Sequence, residues 1–380
     1  MSESRCYKVM ILPGDHIGPE IMNEVLPLFE MLSSKLDVSF QLMERRIGGN
    51  CLDLHHCPIQ PETLQEAQGC DAILLGSVGG PKWDRGDSEN RPETGILRLR
   101  RHLNLFANVR PAKVISESQL AFSSLKPERV EGVDIITLRE NVGGIYFGPK
   151  VEPGPDAMVA SDLCEYTREE VARLTRVAAT LSLSLGGKEP LAIHSIDKAN
   201  VMASSRLWRQ VVKETIRSEF PQLEPKLSHH LVDSAAMVLA KEPRKLNGIL
   251  LTENLFGDIL SDLTSVIPGS LGLLGSAELS GAPIFQQGSE SPRPKGVYQP
   301  VSGSAPDIAG KGIANPIGMF ESFAMMCRWS LDLTRVADLI DEAIRTTLDR
   351  GECTIDAGGN LSTREAGQAI RRFVQDGLSG

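Results

Sequence analysis

Short apolar runs closed by glycine or proline alternate with segments of helical period along this chain, and no other feature limits its possible folds as strongly. Residues 8–12 read as a buried strand ending at Pro13-Gly14, and residues 19–36 carry helical periodicity. Residues 38–45 alternate like a strand, residues 61–68 are helical, and residues 71–75 form an apolar strand closed by Gly76-Ser77-Val78-Gly79-Gly80. Further on, residues 134–138 and 249–252 read as strands, and residues 167–183, 204–218 and 331–347 as helices. Strand–helix alternation of this kind predicts an α/β fold with much parallel sheet. Residues 288–295 are polar and proline-containing and read as an exposed loop; Pro153-Gly154-Pro155-Asp156 is a second turn-rich connection. There is no internal repeat.

A length of 380 residues fits two domains or one large α/β unit. The net charge of −9 disfavours nucleic acid as a main partner, although a local basic patch can still hold a small anion. Seven cysteines without a CxxC pair fit reduced thiols in a cytosolic or organelle-matrix protein. Cys51, His55, His56 and Cys57 cluster, but no second ligand pair lies at a zinc-site spacing. The start of the chain has no apolar signal region, and no segment approaches the ~18 apolar residues of a membrane span. A cytoplasmic protein is expected.

Four groups of residues carry chemistry. Asp258 and Asp262 stand four apart, which on a helix places both carboxylates on one face. Their repulsion is a few tenths of a kcal/mol on an exposed helix and grows with burial beside Phe256, Ile259, Leu260 and Leu263. A divalent cation held by oxygen, Mg²⁺ or Mn²⁺, would relieve it; a solvated acidic face is the alternative. The loop Gly303-Ser304-Ala305-Pro306-Asp307-Ile308-Ala309-Gly310-Lys311-Gly312 is not a Walker A loop, since its glycine spacing is too long and Gly follows Lys311. It can still cradle a phosphate or adenosine, with Asp307 accepting from a ribose 2′-hydroxyl and favouring NAD over NADP; a purely structural loop is the alternative. Arg98, Arg100, Arg101, Arg110 and Arg139 in a net acidic chain invite a small polycarboxylate, which guanidinium forks bind bidentately; ordinary surface ion pairing is the alternative. Lys198, in Ser195-Ile196-Asp197-Lys198-Ala199-Asn200-Val201, suits proton abstraction if partly desolvated and is otherwise a surface lysine.

Read together, several motifs resemble a known family. They are Leu12-Pro13-Gly14-Asp15, Ile17-Gly18-Pro19-Glu20, Gly79-Gly80-Pro81-Lys82-Trp83-Asp84, Arg91-Pro92-Glu93-Thr94-Gly95, Gly143-Gly144-Ile145-Tyr146-Phe147-Gly148, Asp197-Lys198-Ala199-Asn200-Val201, Phe256-Gly257-Asp258-Ile259-Leu260-Ser261-Asp262, and residues 303–316. In that order, over nearly the whole chain, they resemble the 3-isopropylmalate dehydrogenases of the isocitrate/isopropylmalate family of β-decarboxylating dehydrogenases. The resemblance implies a two-domain fold that is not Rossmann, with the active site in the interdomain cleft. Residues 1–105 and 269–380 are expected to form a discontinuous first domain carrying most of the NAD site. Residues 106–268 are expected to form the second, with the dimer interface and the metal aspartates.

The implied activity is NAD- and Mg²⁺- or Mn²⁺-dependent oxidative decarboxylation of 3-isopropylmalate to 2-oxoisocaproate, a step of leucine biosynthesis. The resemblance assigns the metal to Asp233, Asp258 and Asp262, and the proton transfers to Lys198 and Tyr146. It assigns the substrate carboxylates to Arg100, Arg110 and Arg139, and the γ-substituent to Ile96 and Leu97. Ile17 and Glu93 are expected near the nicotinamide end of NAD, and Gly303, Ser304, Ala305, Asp307, Ile308 and Asn315 around the adenosine. A homodimer is implied, with Lys198 and Asp233 lent across subunits.

Some positions depart from the family pattern. His16 stands where glycine is usual, and costs on the order of 1 kcal/mol if the backbone there has positive φ. Gln299 and Ser302 replace a glutamate and an adenine-stacking histidine, and Ser234 follows Asp233 in place of a more usual residue. Arg139-Glu140-Asn141 is closer to the isocitrate and tartrate branch, whereas apolar Ile96 and Leu97 oppose it. Another 3-substituted malate such as 3-benzylmalate, a tartrate- or isocitrate-type substrate, and a regulatory paralogue subunit are therefore the alternatives.

Overall fold

A computed structural model describes residues 5–83, 90–154, 158–286, 288–289 and 291–379. Asp84 of the tryptophan motif and Pro155 and Asp156 of the second turn lie outside the described residues. Ten strands form one mixed sheet: β1 (Arg5–Gly14), β2 (Val38–Glu44), β3 (Ala72–Ser77), β4 (Ala107–Lys113), β5 (Asp134–Glu140), β8 (Ile193–Asp197), β9 (Leu227–Leu231), β10 (Gly248–Thr252), β11 (Gly275–Leu279) and β12 (Gly296–Pro300). Two short strands, β6 (Lys150–Val151) and β7 (Ser161–Asp162), pair apart from it. The order is β2-β1-β3-β12-β11-β4-β5-β10-β8-β9. Strands from the two chain ends fill one half and strands from the middle fill the other; they meet where β11 and β4 pair antiparallel.

The flanks are parallel and the centre is antiparallel at β12–β11, β11–β4 and β4–β5. The expected parallel character is present, and the antiparallel centre is an addition to it. β3 and β10 are buried at every position, as their apolar runs require. The helices are α1 (Ile17–Lys35), α2 (Gly49–His55), α3 (Pro61–Gln68), α4 (Pro92–His102), α5 (Pro127–Val130), α6 (Arg168–Leu185), α7 (Ala203–Glu219), α8 (Val232–Lys241), α9 (Asn254–Ser265), α10 (Ile317–Trp329), α11 (Thr334–Asp349) and α12 (Thr363–Ser379). The largest core joins both halves, from Val9 and Phe29 through Phe320 and Phe323 to Leu251 and Trp208. No helix among the described residues is long and apolar enough to cross a membrane.

Two sequence readings need adjustment. The late helix begins at Thr334 rather than at residue 331, because Asp332 adopts φ 57° and breaks the run. The 288–295 segment is not wholly exposed: Arg293 is buried against Asp332, 2.6 Å away, and anchors it.

The turn after β1 is set by sterics and by one carboxylate. Gly14 has φ 75°, and a Cβ there would lie 2.0 Å from the Ser77 carbonyl oxygen. Asp15, buried beside it, accepts from the N–H groups of Gly49 (2.8 Å), Asn50 (2.8 Å) and Gly79 (2.9 Å). It thereby ties α2 and the Gly79-Gly80 turn to the end of β1. Asp15→Ala leaves these donors without a partner, so chemical denaturation should show a loss of about 3 kcal/mol or more of stability.

Candidate active site

Parallel strands put their C-terminal ends on one edge of the sheet, and the candidate residues collect there. Arg139 lies at the end of β5 and pairs in register with Thr252 of β10, one residue before the turn into α9. On the other side of Arg139 the same transverse row continues through Asn108 of β4 to Glu278 of β11. Paired residues point to the same face of a sheet. Glu278, Asn108, Arg139 and Thr252 are thus one buried polar row inside an apolar sheet.

α9 is capped by Glu253, whose carboxylate accepts from the Phe256 N–H at 2.7 Å. The Tyr166 hydroxyl donates to Glu253 at 2.9 Å and accepts the Asn254 N–H at 2.9 Å. Asn254 then bridges two elements. Its Oδ1 accepts from Arg139 Nε (2.9 Å) and Nη2 (2.7 Å), and its Nδ2 donates to the Gly143 carbonyl at 2.8 Å. Arg139 Nη1 pairs with Asp258 Oδ1, and the Tyr146 hydroxyl donates to Asp258 Oδ2 at 2.7 Å. Arg139, Tyr146 and Asp258 therefore form one cluster, with the guanidinium 5.6 Å from the tyrosine ring centre.

Electrostatics follow from this packing. Burial pushes the Tyr146 phenol up to about 12, assisted by its hydrogen bond to Asp258, so Tyr146 carries its proton at neutral pH. Burial also pulls Arg139 down to about 10, against the attraction of Asp258. Arg110 is drawn down by burial and by Arg100. It donates to Asn108 Oδ1 (2.9 Å) and Ser261 Oγ (2.9 Å) and reaches Asp262 at 3.5 Å. Arg100 is held by both oxygens of Glu278, with 2.9 Å between Nε and Oε2.

The expected acidic pair lies on α9, as its spacing predicts. Asp258 is half-buried within the cluster, and Asp262 is 77 % exposed. Both offer only oxygen, which suits a hard cation such as Mg²⁺ or Mn²⁺. Asp233 is not brought to them: it pairs with Lys198 at 2.7 Å, beyond the ends of β8 and β9. Accordingly, no group of three or more His, Cys, Asp or Glu side chains able to hold a metal occurs among the described residues. The Cys51–Cys57 cluster makes no such group either.

On the other half, Ile96 packs against the same core cluster as Val78, while Leu97 is half-exposed on the same helix. Glu93 reaches the Gly79-Gly80 turn, since a Cβ on Gly79 would lie 2.6 Å from its Oε1. His16 meets the same turn: its Nε2 would be 2.3 Å from a Cβ on Gly80, and its ring centre is 5.7 Å from that of Trp83. Its backbone is at φ 51°, ψ −111°, so the expected strain is present. The Ile17 N–H donates to the Ser304 carbonyl at 3.1 Å, which docks the Gly303–Ala305 loop on the start of α1. Ala305 also has positive φ, 41°, and Asp307 is exposed, with Ile308 half-buried beside it. Asn315 is spent locally, donating to Asp356 at 3.0 Å and accepting from the Ile317 N–H at 3.0 Å. Of the residues expected at NAD, Ile17 and Ser304 meet at the start of α1, and Glu93 meets the Gly79-Gly80 turn tied there by Asp15.

The sequence reading did not assign Glu278, Asn108, Asn254 or Glu140. A glutamate inside the apolar run of residues 273–279 was a legible signal for the first. Glu140 shapes the turn that carries Tyr146, accepting from the N–H groups of Gly143 (2.6 Å) and Val142 (3.2 Å) and from Arg173 (3.2 Å). Gly144 completes that turn with φ 70°, where a Cβ would strike the Tyr166 hydroxyl at 2.0 Å. Burial raises the Glu140 carboxyl to about 7. The folded state then holds this proton where the unfolded chain has lost it, so its stabilising contribution is present below about pH 4.5 and is lost as pH rises through about 7. In Glu140→Gln, the decline of unfolding free energy across that window should be smaller than in wild type, as measured by denaturant titrations at a series of pH values.

Residues 8–370 match the family profile described as isocitrate/isopropylmalate dehydrogenase. The 3-isopropylmalate dehydrogenase of Pichia angusta is 48% identical over 366 residues, covering 96% of this chain and 97% of that protein. That of Zymoseptoria tritici is 46% identical over 370 residues, covering 97% and 98%. Among solved structures, isocitrate dehydrogenase from Methylococcus capsulatus superposes with a TM-score of 0.80 at 28% identity, covering 97% of this chain and 99% of the other. A β-decarboxylating dehydrogenase from Thermococcus kodakarensis does so with a TM-score of 0.76 at 31% identity, covering 97% and 96%. With near-complete coverage in sequence and in fold, and with the arginines, Tyr146 and Asp258 gathered at one edge of the sheet, this chain belongs to the isocitrate/isopropylmalate dehydrogenase family and is an oxidoreductase of the decarboxylating type.

Proposed function

We propose that the protein oxidises and decarboxylates 3-isopropylmalate, with NAD as hydride acceptor and Mg²⁺ or Mn²⁺ as Lewis acid, as a step of leucine biosynthesis. The observation that carries this reading is the Arg139–Tyr146–Asp258 cluster, with apolar Leu97 on the helix that also presents Arg100. The names of the most similar curated relatives agree with it. The residues fit a hard cation through the oxygens of Asp258 and Asp262. When bound, that ion lowers the pKa of the substrate hydroxyl and stabilises the charge of the enolate.

Arg100, Arg110 and Arg139 hold the substrate carboxylates by their guanidinium donors. Lys198 accepts the proton released from the hydroxyl as hydride leaves the carbon. The resulting β-keto acid loses carbon dioxide, and Tyr146 returns a proton to the enol carbon. A phenol held protonated by burial is suited to that last step.

The same reading makes the active unit a homodimer, arranged in each chain as two lobes: residues 1–105 with 269–380, and residues 106–268. Two observations support the dimer. Lys198 and Asp233 are paired with each other, without a contact to the Asp258 cluster among the described residues. Around them, Val201, Met237 on α8 and Ile259 on α9 are apolar and exposed. A second copy covering that face brings its own Lys198 and Asp233 to this chain's Asp258 and Asp262. The retention of Tyr146, Lys198, Asp233, Asp258 and Asp262 opposes a regulatory paralogue.

NADH formation with Mg²⁺ should be fastest with 3-isopropylmalate when compared with 3-benzylmalate, isocitrate and tartrate, and faster with NAD than with NADP. A preference for the benzyl compound would move the assignment to a specialised pathway, and no turnover of any of them would overturn it. Met237→Glu should yield a folded monomer by light scattering that has lost turnover, because each site then lacks the neighbour's lysine.

A further inference from the structure

Arg100 differs from the other two site arginines in its company. Arg139 and Arg110 combine neutral amide and hydroxyl oxygens, from Asn254, Asn108 and Ser261, with carboxylates that reach solvent, Asp258 and Asp262. Arg100 is gripped by a carboxylate, Glu278, whose side chain has 0% exposure. The grip is itself held. Gln299 Nε2 donates to Glu278 Oε1 at 2.8 Å, and Asn108 Nδ2 lies 3.4 Å from the same oxygen. Asn108 turns its other end to Arg110 Nε, so the two arginines are linked through Glu278 and Asn108. Nε and Nη2 of Arg100 are both taken up by Glu278.

Charge decides what such a pocket accepts. Arg100, Arg110 and Arg139 stand against Asp258, Asp262 and Glu278, so these side chains together are neutral. A malate with two carboxylates and one divalent cation then closes the site neutral. A malate carrying a third carboxylate leaves the site with an uncompensated negative charge beside buried groups, which is unfavourable. Removing the charge of Glu278 alone leaves one arginine free and matches the tricarboxylate instead.

We propose that Glu278 is a positioning and specificity-determining residue. It orients Arg100 toward the substrate carboxylate, and by neutralising it restricts the enzyme to malates whose 3-substituent is uncharged. This rests on the function proposed above and deepens it. Selectivity is set by a buried carboxylate behind the arginine as well as by the apolar wall of Ile96 and Leu97. Gln299 belongs to the same device, because its amide can donate to Glu278 where a second carboxylate would repel it.

The test compares wild type, Glu278→Gln and the exchange Glu278→Gln/Gln299→Glu, which returns a carboxylate to the cluster from the neighbouring strand. Malonate, a dicarboxylate with no hydroxyl to oxidise, probes the arginines independently of turnover. Calorimetry should show malonate binding Glu278→Gln about tenfold more tightly than wild type, with the exchange returning it toward the wild-type value. In kinetics with Mg²⁺ and NAD, Glu278→Gln should change KM for 3-isopropylmalate more than kcat. The ratio of kcat/KM for isocitrate to that for 3-isopropylmalate should rise about tenfold, and the exchange should reverse it. Equal malonate affinity in all three proteins, or an equal loss on both substrates accompanied by a lower melting temperature, would reduce Glu278 to a structural ion pair and overturn the proposal. Wild type that turns over neither substrate would overturn the function proposed above, while the malonate series would still decide the role of Glu278.

Discussion

Charged groups buried in a sheet must be paired, and that constraint organises this protein. Taking a carboxylate or a guanidinium out of water costs several kcal/mol unless a partner of good geometry compensates. The transverse row of Glu278, Asn108, Arg139 and Thr252 lies where burial is nearly complete. Arg100 and Arg110 are drawn to it from α4 and from the same strand as Asn108. The row runs from β11, built by the C-terminal part of the chain, into β4, β5 and β10 of the middle part. It thus joins the two halves of the sheet and at the same time fixes the arginines proposed to hold the substrate. Shifting β4 by one residue would turn Asn108 and Arg110 to the opposite face, taking Asn108 from Glu278 and Arg110 from Ser261.

The rest of the site hangs from this row by hydrogen bonds to short loops. Asn254 transmits the position of Arg139 to the Gly143 carbonyl, and Glu140 braces the same turn from inside the sheet. Tyr146 and Asp258 are therefore placed by a closed ring of contacts in which no long flexible element takes part. On the other half, Asp15 ties α2 and the Gly79-Gly80 turn to the end of β1. His16 sits beside it in a backbone conformation that favours glycine. Its Nε2 is buried without a hydrogen-bond partner among the described residues. Strain of this kind persists only where the surroundings over-determine the backbone, and here they do, through Asp15, Gly18 and Ser77.

How far the structure was legible depended on whether a feature was local. The buried runs of β1, β3 and β10 and the periodic helices α1, α6 and α7 announce themselves, because burying one stripe of side chains leaves a pattern in the chain. The spacing of Asp258 and Asp262 placed both on α9 for the same reason. β4 was opaque: it contains Arg110 and Pro111, which argue against a central strand. Pro111 is accommodated because the pairing with β11 ends at Val109. β11 and β12 were not read as strands, and the burial of their polar Glu278 and Gln299 makes sense only beside Arg100 and Asn108.

The amino-acid sequence by itself determined the α/β character, the family pattern and the identity of the arginines, Tyr146, Lys198 and the aspartates, since these rest on residue type, period and short spacing. Tertiary structure alone decided which of them meet. It set Arg139, Tyr146 and Asp258 together, paired Lys198 with Asp233 apart from them, and gave Arg100 to Glu278. These contacts join residues from 35 positions apart, as between Lys198 and Asp233, to 178, as between Arg100 and Glu278. Such pairs are created by the order and register of the strands, which depend on how the whole chain buries its apolar surface at once, so no local stretch of sequence encodes them.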